Sequence, residues 1–173
     1  MEENLFKKTE SQLYRYYEYK SKIQKFRRKV DDLEEQIILL DNQMRNVHKY
    51  ISLDTMPPGA GGGERVQSSI SGTSYMEKQM EQEVTKLEKR KIEKIKTKIK
   101  TEAKIMEMQS FIRRMDANIE YLLEEDKRFI EYFYGAKEKI PFIAMQLNIA
   151  QATAYRKREE LVKNIEDSMW MYK

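Results

Sequence analysis

Along the first third of the chain, apolar side chains return every seven residues in two interleaved series. Tyr16, Ile23, Val30, Ile37, Met44 and Ile51 form one; Tyr19, Phe26, Leu33, Leu40 and Val47 form the other, three positions later. Most positions between them are Lys, Arg, Glu, Gln, Asp or Asn. On a straight helix of 3.6 residues per turn such a stripe would drift around the axis, and only supercoiling keeps it on one face. The pattern predicts a long helix over 10–51, with the two series as positions a and d of a coiled coil.

Residues 52–74 break the repeat. Met56-Pro57-Pro58-Gly59-Ala60-Gly61-Gly62-Gly63 cannot continue a helix, and Ser68, Ser69, Ser71, Gly72, Thr73 and Ser74 predict a flexible Pro/Gly/Ser loop. The glycines do not make a phosphate-cradling loop, because no Gly-Lys-Ser/Thr follows and the dinucleotide spacing is absent. Helix is predicted again over 75–117, where Met76, Met80, Val84, Leu87, Ile92, Ile95, Ile99, Ala103, Met106 and Ser110 recur at intervals of three to five. Two helices of similar length joined by a loop predict an antiparallel hairpin. The competing arrangement is a parallel homodimer through the first helix.

After Asn118 the periodicity shortens into three small helices. The first, over 124–134, groups Phe129, Ile130 and Phe133 on one face and ends at Gly135, expected as a left-handed cap. The second opens at Pro141, tolerated in a first turn, and carries Phe142, Ile143, Ala144 and Leu147. The third starts near Ala150 and runs toward Trp170. Between the last two, residues 143–156 meet the steric demands of a helix-turn-helix. Ala144 is small where two helices cross, Leu147, Ile149 and Ala154 are apolar where the unit closes, and Asn148 stands where the turn needs positive φ. The expected fold is all-α: a long antiparallel helical hairpin (coiled coil) over 1–117, interrupted by the loop at 52–74, and a C-terminal helix-turn-helix domain over 118–173.

A third helix lying in a major groove would meet base edges with the exposed side chains of its first turns. Those are Gln151, Ala152, Thr153, Tyr155 and Arg156; Gln suits adenine and Arg suits guanine. Lys157 and Arg158 are placed to hold phosphate. Double-stranded DNA is the expected partner.

Composition narrows the function classes. Apolar residues make up 40% of the 173 residues beside 36% charged ones, enough to bury a core and to exclude general disorder. The chain has no cysteine and one histidine, His48. Disulfides, thiolate zinc sites and cysteine nucleophiles are excluded, and with a single histidine neither a histidine metal cluster nor a Ser-His-Asp triad is expected. With no acid/base or nucleophile constellation either, no enzyme activity, catalytic residue, metal or cofactor is expected. No apolar run reaches 18 residues and no apolar leader opens the chain, so a soluble, cytoplasmic protein without a membrane partner is expected.

The net charge of +4 permits a nucleic-acid partner without demanding one. Its distribution is uneven. Residues 86–104 hold nine Lys or Arg against three acids, which reads first as a solvated coiled-coil flank and second as a track for phosphate. Residues 119–173 hold nine against ten. DNA affinity would then need a local basic face, dimerisation through the long helices, or a second protein such as RNA polymerase. In the run Tyr14-Arg15-Tyr16-Tyr17-Glu18-Tyr19, Tyr16 and Tyr19 belong to the seam; Tyr14 and Tyr17 are left for a partner, base stacking included.

The C-terminal segment, Leu122 to Trp170, resembles region 4 of bacterial sigma factors through Ile143-Ala144-x-x-Leu147-Asn148-Ile149-x-x-x-Thr153-x-Tyr155-Arg156. With Leu13-Tyr14-x-Tyr16 and Pro57-Pro58-Gly59-x-Gly61 ahead of it, the layout resembles the sigma-region-4-like late transcription regulators of Gram-positive phages and prophages (the ArpU/RinA type). Two residues depart from that pattern: Ala150 stands where Ser or Thr usually caps the recognition helix, and Lys157 where an apolar residue is common. The resemblance implies a DNA-binding activator of late genes that works with host RNA polymerase in a bacterial cell, at the nucleoid. It also implies no promoter melting, since no counterpart of sigma region 2 is present. A phage small-terminase-like packaging subunit and a coiled-coil adaptor with a degenerate helix-turn-helix are the alternatives.

Overall fold

The computed structural model describes residues 2–49 and 75–170. The predicted Pro/Gly/Ser loop and the last seam residue, Ile51, lie outside the described residues. Every regular element described is helical: α1 (Glu2–Arg45), a single 3₁₀ turn (Val47–Lys49), α2 (Tyr75–Ile119), α3 (Glu124–Ile130) running on as a π turn (Glu131–Gly135), α4 (Ile140–Gln146) and α5 (Gln151–Trp170). The long helix pair is present as expected, with α1 of 44 residues and α2 of 45. Both are free of Gly and Pro, so nothing in their interiors breaks the hydrogen-bond ladder.

The chain divides into two compact units, Met1–Arg27 with Ala103–Lys173, and Arg28–Glu102. The boundary expected at 117/118 is therefore not where compactness changes. The first unit combines the start of α1, the end of α2 and all the shorter helices.

In that unit one apolar cluster joins Leu13 and Tyr16 of α1, Phe111, Met115 and Ile119 of α2, Leu122, and Phe129, Ile130, Tyr134, Ile140, Ile143, Ala144, Ala154, Leu161, Val162 and Ile165. Leu13, Phe129, Ile143 and Ile165 are wholly buried, and each such side chain stabilises the fold by about 1.5–3 kcal/mol relative to exposure. The two long helices run antiparallel here: the Tyr16 hydroxyl donates to Asp116 Oδ1 at 2.5 Å, the Tyr19 and Phe111 rings meet edge to face at 5.3 Å, and Lys104 lies over Phe26. Burial first, and the Asp116 carboxylate second, push the Tyr16 hydroxyl pKa well above its ordinary value.

Gly135 has a different role from the expected left-handed cap. The residue with positive φ is Lys137, at 59°, two positions on. Gly135 closes the π turn, in which the Ala136 amide donates to the Glu131 carbonyl at 2.9 Å. A Cβ at Gly135 would stand 2.9 Å from the Tyr17 ring. The glycine is required by close approach, not by backbone handedness.

The described part of the second unit holds the facing stretches of α1 and α2 and the 3₁₀ turn. Lys91 Nζ lies 2.5 Å from Asp41 Oδ1 and Lys98 Nζ 2.5 Å from Glu34 Oε1. Seven residues forward on one helix are seven backward on the other, which is antiparallel pairing. On α1 the predicted seam holds: Leu33 is buried, and Val30, Ile37, Leu40 and Met44 are half-buried. On α2 the seam follows the predicted series at Val84 and Leu87 and departs from it after Leu87. Residues Val84, Leu87, Lys91, Lys94, Lys98 and Thr101 face inward at strict heptad spacing, whereas Ile92 and Ile99 are 50% and 58% exposed. Met106, in the first unit, is likewise exposed, beside the inward Ile105 and Met108. Lysine stems are apolar enough to lie in a seam while their ammonium groups reach acids at its rim. A search for apolar residues alone steps around them.

Candidate nucleic-acid interface

α4 and α5 are joined by four residues, Leu147–Ala150, and the turn is closed by its own backbone. The Leu147 amide donates to the Ile143 carbonyl at 2.9 Å and the Ile149 amide to the Ala144 carbonyl at 2.9 Å. Asn148 has φ 56°, the left-handed conformation the sequence assigned to it. Ala144 and Ala154 are buried where α4 and α5 come together, and Ile143 beside them is wholly buried. Any larger residue at either alanine would push the helices apart. α5 starts with the Ala154 amide donating to the Ala150 carbonyl at 3.0 Å; with alanine at 150, no hydroxyl caps its first turn.

Five of the seven residues singled out from sequence stand exposed on the first two turns of α5: Gln151, Ala152, Thr153, Tyr155 and Arg156. The other two are held by protein acids. Lys157 Nζ lies 2.7 Å from Asp126 Oδ1 of α3. Arg158 donates to Glu10 Oε1 through Nη2 at 2.5 Å and through Nε at 3.1 Å. Glu10 also accepts the Tyr134 hydroxyl at 2.7 Å, and the Arg158 guanidinium covers the Phe133 ring at 5.0 Å. Burial works against the Arg158 charge, but the bonds to Glu10 and Tyr134 more than offset it and hold its pKa above the ordinary value. The Tyr134 hydroxyl is pushed up by burial and then by Glu10.

Glu10 is the polar residue that sequence reasoning missed. It lies 148 residues from Arg158 and in no motif, so no spacing could have found it. The tyrosines left for a partner are also engaged within the protein. Tyr17 packs on Gly135, and Tyr14, although 43% exposed, meets the Tyr134 ring edge to face at 4.8 Å. In the basic stretch of α2, Lys86 pairs with Glu83 at 2.6 Å, and Lys91 and Lys98 with acids of α1.

Among the described residues no group of three or more His, Asp or Glu could hold a metal ion, and no helix is long and apolar enough to cross a membrane. The exposed first turns of α5, carried on a rigid two-helix frame, can offer one amide, one hydroxyl, one phenol and one guanidinium to a surface. No protein-family model, curated protein or solved structure matches the chain.

Proposed function

We propose that this protein is a non-enzymatic, sequence-specific DNA-binding transcription regulator of the sigma-region-4-like phage type, an activator of late genes that acts with host RNA polymerase. On this reading α4, its turn and α5 form a helix-turn-helix whose second helix enters the major groove. Gln151 and Arg156 read bases bidentately, Thr153 and Tyr155 contact base edges or sugar, and Ala152 lies against a thymine methyl. The observation that carries the reading is the α4–α5 joint. A left-handed Asn148 and two buried alanines hold the helices close while the polar first turns of α5 are left exposed. Lys157 and Arg158 contribute by fixing α5 through Asp126 and Glu10, which leaves few cations for phosphate and makes a second anchor necessary.

In vitro selection from random duplex DNA with the full-length protein is expected to enrich one motif. Failure to enrich any motif at low salt would overturn the reading. It would favour a coiled-coil adaptor, for which the exposed Phe142, Met145 and Tyr155 offer a protein-docking surface.

A further inference from the structure

The helix pair of Arg28–Glu102 carries an apolar face outside its seam. Ile38 lies four residues after Glu34 and three before Asp41; Ile95 lies four after Lys91 and three before Lys98. Residues so spaced share one helix face, so Ile38 and Ile95 stand on the side of the pair where the ion pairs Glu34–Lys98 and Asp41–Lys91 cross the seam. Ile92 and Ile99 extend the same row on α2. Ile38 is 60% exposed, Ile92 50% and Ile99 58%. Lys91 and Lys98 hold seam positions while Ile92 and Ile99, one position on, face outward; Ile95 is half-buried between them. Apolar side chains grouped around paired charges mark a contact surface.

Charge indicates the occupant. Beside Ile38 the exposed edge of α1 carries Asp31 and Glu35, with Arg45 one heptad on; beside Ile92 and Ile99 the outer edge of α2 carries Lys89 and Lys96, with Glu88 and Glu102 nearer the seam. We propose that a second copy of this chain docks on this face, through a two-fold axis parallel to the helices that lays α1 of each copy over α2 of the other. The ion pairs set Ile38 level with residue 94 of its own chain, and an axis along the helices preserves that height. Ile38 of each copy then enters between Ile92, Ile95 and Ile99 of the second copy, and Glu35 comes level with the second copy's Lys96. The other face-to-face arrangement, α1 on α1, would oppose acid to acid. The interface is isologous and closes at two chains. The seam of α1 is unavailable for this purpose, because α2 of the same chain already covers it. The proposal goes beyond DNA recognition and does not depend on it.

Sedimentation equilibrium of the full-length protein is expected to give a dimer. Ile38→Asp with Ile99→Asp, at positions already exposed, should give a monomer with unchanged helical circular dichroism. Glu35→Lys should raise the dissociation constant about tenfold or more, and adding Lys96→Glu to it should restore the dimer. Because the chain lacks cysteine, disulfide trapping reports the arrangement directly. An equimolar mixture of Ile38→Cys and Ile95→Cys chains should cross-link under mild oxidation more fully than either variant alone. A wild-type monomer at every concentration would overturn the proposal. So would a dimer that survives the double aspartate variant, or Ile38→Cys chains cross-linking to one another as well as in the mixture.

Discussion

The half of the helix pair built together with the shorter helices and the half that stands without them follow the same seven-residue spacing with different occupants. In Met1–Arg27 with Ala103–Lys173, the seam is filled by Leu13, Tyr16 and Ile23 on α1 and by Ile105, Met108 and Met115 on α2, all buried. Among the described residues of Arg28–Glu102 only Leu33 and Thr101 reach that burial, and Lys91, Lys94 and Lys98 occupy seam positions. The repeat sets pairing geometry in both. The shorter helices add to burial where they pack on Leu13, Tyr16 and Met115; where two helices pair alone, most seam residues are only half-buried. The polar seam and the outward isoleucines of the second half thus belong together.

Substitutions of decreasing severity sharpen that contrast. Phe129→Ala, in the layered core, is expected to destabilise by about 3–5 kcal/mol. Ile37→Ala, at a half-buried seam position, is expected to cost at most about half as much. Equal losses in urea denaturation would show that the two halves are equally deep. Glu10→Ala is expected to cost about 2 kcal/mol, because it strands the Arg158 guanidinium and the Tyr134 hydroxyl together; Glu10→Gln, which keeps an acceptor for the tyrosine, should cost less.

Alkaline pH tests the layered unit separately. Tyr16 and Tyr134 have hydroxyl pKa values raised in the folded protein, whereas in the unfolded chain they ionise near pH 10. Below about pH 10 both states are neutral and the stability is intact. Above it the unfolded state loses protons first, so stability falls as pH rises, by up to about 1.4 kcal/mol per pH unit for each group. Replacing both tyrosines with phenylalanine should flatten that decline in chemical denaturation measured between neutral and alkaline pH. The smallest effect belongs to the second half: Lys98→Ala removes an ion pair whose Glu34 side chain is half exposed, and is expected to leave stability in urea denaturation almost unchanged. A larger loss there would mean that the polar seam carries stability.

The long helices and the α4–α5 joint were legible in the sequence because each rests on a local rule: a heptad on α1, Pro141 at a helix start, and Asn148 with Ala144 and Ala154 at the turn. The α2 seam was misread because hydropathy scores lysine by its ammonium group, and a seam reads its stem. Gly135 was misassigned because its constraint, the Tyr17 ring, comes from a helix more than a hundred residues earlier. A similar distance hid Glu10, which holds Arg158; Asp126, which holds Lys157 from α3, lies nearer in sequence but in no motif. Local rules placed the candidate surface on α5; long-range packing decided which of its cations face outward.

The division of labour along α5 is tested most directly by measuring affinities for a selected DNA site and for each of its single-base variants, with wild type, Arg156→Ala and Arg158→Ala. Arg156→Ala should keep wild-type stability and lose about 1–3 kcal/mol of discrimination at one base position. Arg158→Ala should lower stability and leave the pattern of discrimination unchanged. The opposite assignment, with Arg156→Ala discriminating at every position as the wild type does while Arg158→Ala relaxes one of them, would contradict the account of which α5 side chains meet DNA.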